Sequence, residues 1–136
     1  ETVDDFNKTV SLLKKINFIN SYSFIFSARP GTPAANLKQI DPIISKKRLN
    51  IFQKEANDIK KEYRKSLINS TAKVLFENRV KEEDKYFGRD EYFNSVIVKS
   101  KENLTGKIKN VKIFDCNYNT LFGETVSKIG EIEFAA

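Results

Sequence analysis

Leu67-Ile68-Asn69-Ser70-Thr71-Ala72-Lys73-Val74-Leu75-Phe76-Glu77 is the stretch in which this 136-residue chain changes its hydrophobic period. Upstream of it Leu49, Phe52, Ala56, Ile59, Tyr63 and Leu67 recur every three or four residues, which places one apolar stripe along a helix expected over residues 42–69. Downstream the period falls to two, and strands are expected over residues 71–77, 93–100, 107–116 and 120–128. Phe87-Gly88-Arg89-Asp90, Asn103 to Gly106 and Asn117 to Asn119 read as the turns between them. Short strands at this spacing predict a small antiparallel, OB-like β-barrel, an architecture that often holds nucleic acid. The fold class is therefore α/β followed by all-β, with the boundary near Ser70: one region over residues 1–69, a second over residues 70–136.

Further upstream, Thr2 and Asp5 have the spacing of a capping box, and Val3, Phe6, Val10 and Leu13 follow at helical intervals, so a helix is expected over residues 3–15. Residues 19–27 are rich in Tyr, Phe and Ile, too short and too β-prone for a helix, and they end at the breaker Ala28-Arg29-Pro30-Gly31-Thr32-Pro33. A strand running into a rigid loop is the expectation. The long helix carries Lys46, Lys47, Arg48, Lys54, Lys60, Lys61, Arg64 and Lys65 on its other faces against Glu55, Asp58 and Glu62. Such a surface is either a solvated face or one that meets nucleic acid.

Composition bounds the partners. Forty per cent hydrophobic and 12% aromatic residues suffice for cores, while 31% charged residues and no bilayer-length apolar run argue against a membrane protein. No signal-peptide pattern opens the chain, there is no methionine, and Glu1 leads straight into a helical pattern, so a piece of a longer protein is expected. Cys116 is the single cysteine and no histidine is present, which leaves no internal disulfide and no zinc or iron–sulfur ligand set. It reads as a small buried residue or a free thiol, and a reducing cytoplasmic location fits. The net charge of +6 favours an anionic partner. Residues 1–69 hold 13 of the 24 basic and 7 of the 18 acidic side chains, so the whole excess lies there.

The run Ser21-Tyr22-Ser23-Phe24-Ile25-Phe26-Ser27-Ala28-Arg29-Pro30-Gly31-Thr32-Pro33-Ala34-Ala35 resembles the final barrel strand and following loop of radical-SAM tRNA methylthiotransferases of the MiaB type. Glu1-Thr2 with Asp5-Phe6 resembles the opening of the preceding helix in that family, and Lys47-Arg48-Leu49 the start of its connecting helix. Val74-Leu75-Phe76-Glu77, Gly88-Arg89-Asp90, Val96-Ile97-Val98, Gly106-Lys107 and Asn119-Thr120-Leu121-Phe122-Gly123-Glu124 resemble successive elements of a TRAM domain. Asp90-Glu91-Tyr92-Phe93 departs from the shorter polar Thr-Glu-Asn type of run usual in the family.

The resemblance implies the C-terminal end of a radical-SAM βα barrel, a long connecting helix and a TRAM barrel. It implies an enzyme that methylthiolates an isopentenylated adenosine beside the anticodon, using S-adenosylmethionine and two 4Fe-4S clusters whose cysteine ligands are absent from this chain. The partner implied is the anticodon stem-loop of tRNA, and no catalytic or metal-binding residue is expected within the 136 residues. A sister enzyme acting on threonylcarbamoyladenosine or a ribosomal protein, and an RNA-binding module without chemistry, are the alternatives. Loops after barrel strands form the reactive face, so the resemblance puts Ser27, Arg29 and Thr32, with Glu1, beside cofactor or substrate. Arg29 would anchor a carboxylate or phosphate, or only brace its turn. In the β region Lys73, Arg79, Arg89, Lys99, Lys107 and Lys109 are the candidate RNA contacts, with Tyr86, Phe87, Tyr92 and Phe93 as stacking platforms, Tyr86 and Tyr92 foremost. Glu82, Glu83 and Asp84 form an acidic patch in one connecting loop.

Overall fold

The computed structural model describes residues 1–81 and 83–127, and the chain divides into two compact units, Glu1–Glu62 and Tyr63–Ala136. In the first, helix α1 (Val3–Ile16) starts at the expected capping box: the Thr2 hydroxyl accepts from the Asp5 N–H at 3.1 Å, and the Asp5 carboxylate accepts from the Thr2 N–H at 2.9 Å. It ends at Asn17 in the left-handed conformation, a stop that asparagine tolerates better than most residues. Helix α2 (Pro42–Ser66) has Pro42 in its first turn, and Asp41 caps it by accepting the Ile43 N–H at 2.8 Å. Leu13 is the one buried hydrophobic side chain described in this unit, while Tyr22 and Phe24 stand 88% and 84% exposed.

The strand expected over residues 19–27 is not formed. Every strand pairing described lies between Thr71 and Thr125, and a β-prone segment without a neighbour to receive its N–H and C=O groups has no ladder to join.

The second unit is a closed barrel of five strands, β1 (Thr71–Arg79), β2 (Lys85–Asp90), β3 (Ser95–Lys99), β4 (Ile108–Cys116) and β5 (Thr120–Thr125), in the order β1-β2-β3-β5-β4. Alternate residues point inward: Val74, Phe76, Tyr86, Val96, Val98, Val111, Ile113 and Leu121, with Leu104 from a loop, make a continuous core. Asn69, at positive φ, ends the helical segment and donates to Ile113 O at 2.8 Å, while Ser70 O receives the Ile113 N–H at 2.9 Å, so the entry into β1 is pinned to β4.

Four sequence expectations are corrected. Residues 87–90 are not a turn but most of β2, and Gly88 faces the core there because an added Cβ would meet Leu75 O at 2.5 Å and Val74 Cγ1 at 2.7 Å. The barrel is not wholly antiparallel, since β3 and β5 run parallel while the other four pairings are antiparallel. Phe93 is not in a strand but in the β2–β3 loop, with φ +66°. Two arginines counted on the basic surface of α2 are withdrawn from it. Arg48 is held by Glu1 with its side chain 14% exposed, and Arg64 is buried. Lys128 and Glu82 lie outside the described residues.

Candidate nucleic-acid interface

Because Tyr86, Gly88, Val96, Val98, Leu121 and Gly123 are buried, their strand neighbours face outward. The registers then set one outward-facing, half-buried row across three strands: Phe87 lies opposite Ile97, and Ile97 opposite Phe122. At one end of the row Lys85 and Lys99 are directly opposed, and at the other Arg89 is opposed to Ser95. An apolar, partly aromatic strip of this kind can stack planar rings in its middle and meet phosphates at its lysine end.

The cations are held differently. Lys85 pairs with Glu83 at 2.5 Å, and that hydrogen bond, helped by the charges of Lys85 and Lys99, keeps the Glu83 carboxyl below the usual glutamate range. Arg89 lies between two rings, 5.3 Å from the Phe87 centroid and 4.2 Å from that of Phe93, and its Nε reaches Glu77 at 3.4 Å. Arg79, at the end of β1, is tied to Asp84 at 2.9 Å and to Glu83 O at 3.1 Å, so it organises the β1–β2 loop rather than standing ready for a ligand. Lys99 is exposed on the strip itself.

The remaining candidates gather on the neighbouring wall. Lys73 on β1 is opposite Asn110, Thr71 is opposite Lys112, and Lys109 is opposite Val74, with Lys107 in the approach to β4. All four lysines are exposed and none has an ion pair among the described residues. Leu75 joins the two walls, being opposite both Arg89 and Ile108.

Of the four aromatics singled out from sequence, Phe87 is on the strip and Tyr92 and Phe93 are at a loop tip, 69% and 70% exposed. Tyr86 is a core residue at 5% exposure, which removes it as a platform. Phe122, Ile97, Lys85 and Lys112 were not anticipated. The alternation of buried Leu121 with outward Phe122 was the available signal for the first of these.

In the first unit Glu1 borders two clefts of about 460 and 500 Å³, the larger lined also by Ile25, Phe26 and Leu37. Its carboxylate accepts from Arg48 Nη1 at 2.9 Å, and Arg48 also lies over the Phe6 ring at 5.7 Å. Ser27, Arg29 and Thr32 are exposed and line neither cleft. The Thr32 hydroxyl donates to Arg29 O at 2.8 Å, so these two residues close their own turn before the short 3-10 segment Pro33–Asn36. Among the described residues no cluster of His, Cys, Asp or Glu has metal-site geometry, and one cysteine without a histidine does not fit an iron–sulfur cluster. Cys116 is free and partly buried, packed against the barrel core. No helix among the described residues is long and apolar enough to cross a membrane.

Residues 65–126 match the model of the TRAM domain. The chain is 49% identical over 126 residues to a protein of Pelagibacter ubique (strain HTCC1062) named tRNA-2-methylthio-N(6)-dimethylallyladenosine synthase, a match covering 91% of this chain and 28% of that protein. Proteins of the same name from Ruthia magnifica subsp. Calyptogena magnifica and Rickettsia akari (strain Hartford) are 38% and 40% identical over 93% and 91% of this chain and 29% and 28% of their own lengths. The chain thus spans well under a third of the relatives it matches.

Proposed function

We propose, for a chain that carries a TRAM domain and is recognisable by sequence as a segment of a MiaB-type methylthiotransferase, that its barrel holds RNA for a modification carried out by a longer protein. The observation that carries this reading is the outward row Phe87–Ile97–Phe122 between the opposed lysines Lys85 and Lys99 and the ring-stacked Arg89. It occupies strands β2, β3 and β5 of a barrel whose strand order is that of an OB fold, and in such folds the β2–β3 face takes oligonucleotides. Lys73, Lys107, Lys109 and Lys112 would extend the phosphate path onto the adjoining wall.

The RNA is read as the anticodon stem-loop of a tRNA, and the reaction as methylthiolation of an isopentenylated adenosine in it, since the relatives' names describe that product. S-adenosylmethionine and two 4Fe-4S clusters would supply the methyl and sulfur chemistry from elsewhere in the protein. Residues 1–69 are read as the end of a radical-SAM barrel with its connecting helix, which accounts for so many exposed aromatics around residues 22–26. Arg29 is then the residue that anchors a charged group of cofactor or substrate, and the assembly works in the cytoplasm, where tRNA is.

Two measurements test this. Fluorescence anisotropy with a labelled anticodon stem-loop should show binding by the 136-residue chain that weakens about tenfold or more in Phe87→Ser/Phe122→Ser, by loss of base stacking. Mass spectrometry of tRNA nucleosides from cells carrying Arg29→Ala in the full-length gene should show the methylthio group lost. Unchanged binding refutes the strip as the interface, and unchanged modification refutes the anchoring role.

A further inference from the structure

The loop between β2 and β3 carries two adjacent exposed aromatics and is built rigidly. The Asp90 carboxylate accepts from the Tyr92 N–H at 2.9 Å and the Asn94 N–H at 2.8 Å through Oδ1, and from Asn94 Nδ2 at 2.9 Å through Oδ2. The backbone adds Phe93 N–H to Asp90 O at 3.0 Å and Asp90 N–H to Asn94 O at 3.1 Å. Asn94, 2% exposed, donates also to the Tyr63 hydroxyl at 3.2 Å. A polar residue so buried, serving a four-residue loop, fixes what the loop displays.

What it displays is costly. Phe93 has φ +66°, a conformation that glycine or asparagine adopts easily and a bulky aromatic does not. The strain is not relieved by burial, because the ring is 70% exposed. Its one described partner is the Arg89 guanidinium at 4.2 Å, which itself borders the Phe87 end of the outward strip. Tyr92, 69% exposed, lies beside a cleft of about 90 Å³ lined also by Lys73, Asp90 and Glu91.

Charge identifies the ligand chemistry. Asp90 and Glu91 stand here with Lys73 and with an Arg89 already paired to Glu77, so this corner has no excess of positive charge to offer a phosphate. Two solvent-facing rings beside a carboxylate suit a nucleobase: the rings stack, and Glu91 accepts from an exocyclic amino group.

We propose that the Glu91-Tyr92-Phe93 tip is a base-binding subsite for an unpaired nucleotide of the RNA lying on the β2–β3 face, a placement that rests on the RNA-binding function above. Arg89 is the link, since it touches both the strip and the tip. The subsite recognises single-stranded RNA through rings and not through phosphates.

The test uses the 136-residue chain, a labelled RNA stem-loop and the blunt duplex of the same stem, titrated at several salt concentrations. Phe93→Gly and Tyr92→Ala should each weaken stem-loop binding roughly tenfold while leaving duplex binding and the salt slope unchanged. Phe93→Gly should melt no lower than the parent, because glycine relaxes the backbone there, so a loss of binding would not be a loss of fold. Stem-loop binding as tight as the parent's in Phe93→Gly and Tyr92→Ala would overturn the subsite and leave Phe93 as a cover for Arg89. Equal weakening on duplex and stem-loop with a shallower salt slope would overturn it as a base contact. A parent chain that binds neither RNA would refute the RNA-binding function itself, and the subsite with it.

Discussion

Asn94 Nδ2 lies 3.2 Å from the Tyr63 hydroxyl and 2.9 Å from Asp90 Oδ2, so the buried NH2 group in the β2–β3 loop is satisfied by Tyr63 and Asp90, while Asn94 Oδ1 has no partner among the described residues. Tyr63→Phe removes that partner and keeps the ring, and should cost about 1 kcal/mol of stability in urea unfolding. Asn94→Ala also frees the Asp90 carboxylate and should cost more, about 2–3 kcal/mol, with faster amide exchange at Tyr92 and Phe93. Equal losses would show that the Tyr63 bond carries the whole effect.

Gly88→Ala places a methyl group 2.5 Å from Leu75 O, against backbone that cannot swing aside. A loss of about 1–3 kcal/mol is expected from overpacking, read as a lower urea midpoint with unchanged slope. A midpoint equal to the parent's would mean that β1 and β2 separate freely, contrary to a closed barrel.

The two lysine walls should separate in salt titrations with RNA. Lys85→Ser/Lys99→Ser should lower the slope of log K against log salt by about 2 if both meet phosphates, with each lost contact worth about 1. Lys73→Ser/Lys112→Ser should change it less. The reverse order would move the interface from the β2–β3 face to the β1–β4 wall.

Arg64 is 4% exposed, and its Nε and Nη1 have no hydrogen-bond partner among the described residues; burial pushes its guanidinium below the usual arginine range. A buried cation with two unpaired nitrogens opposes folding, an effect the nearby Asp90 charge offsets only in part, whereas its methylene stem fills space. Arg64→Met keeps the stem and should be neutral or stabilising by about 1 kcal/mol in thermal unfolding. A large loss would show a hidden partner for the charge.

Asp5 has its carboxyl held below the usual aspartate range, first by the Thr2 backbone N–H and then by the Thr2 hydroxyl. A depressed carboxylate stabilises the fold above its unfolded pKa and loses that contribution as pH falls through the lower, folded one. The start of α1 should therefore keep its capping box at neutral pH and fray only in acid below the ordinary aspartate range, seen as a titrating amide shift at Thr2. An Asp5→Asn chain that behaves identically with pH would sink this assignment.

Much of the architecture was readable because it depends on local chemistry. The Thr2/Asp5 box, the stripe from Leu49 to Leu67 and the alternation through β1, β4 and β5 all report neighbours a few residues away. Gly88 misled because glycine before Arg89-Asp90 has the composition of a turn, while its actual cause, the approach of Leu75 O from another strand, is non-local. The same limit hid the parallel β3–β5 pairing, and with it the row that brings Phe122 beside Ile97. Tyr86 and Phe87 illustrate the site in miniature: adjacent in sequence, they face opposite sides of β2, and only the register says which one is inside. Arg48 and Arg64 looked like surface charge because helix periodicity does not reveal what packs over each face.

Closure of the barrel also determines the order in which it can assemble. The β1–β2–β3 meander joins near neighbours, but Thr71 must find Lys112 and Ser95 must find Thr120 before the ring is complete. Each such encounter spends chain entropy ahead of any reward, and small β-barrels dominated by distant pairings fold in about milliseconds to seconds rather than microseconds. Until β5 docks, β3 and β4 each keep an unpaired edge that another nascent chain could join. The final strand is thus a latch: during synthesis the window of exposure lasts until residues 120–125 have emerged, and closing it removes the edges altogether.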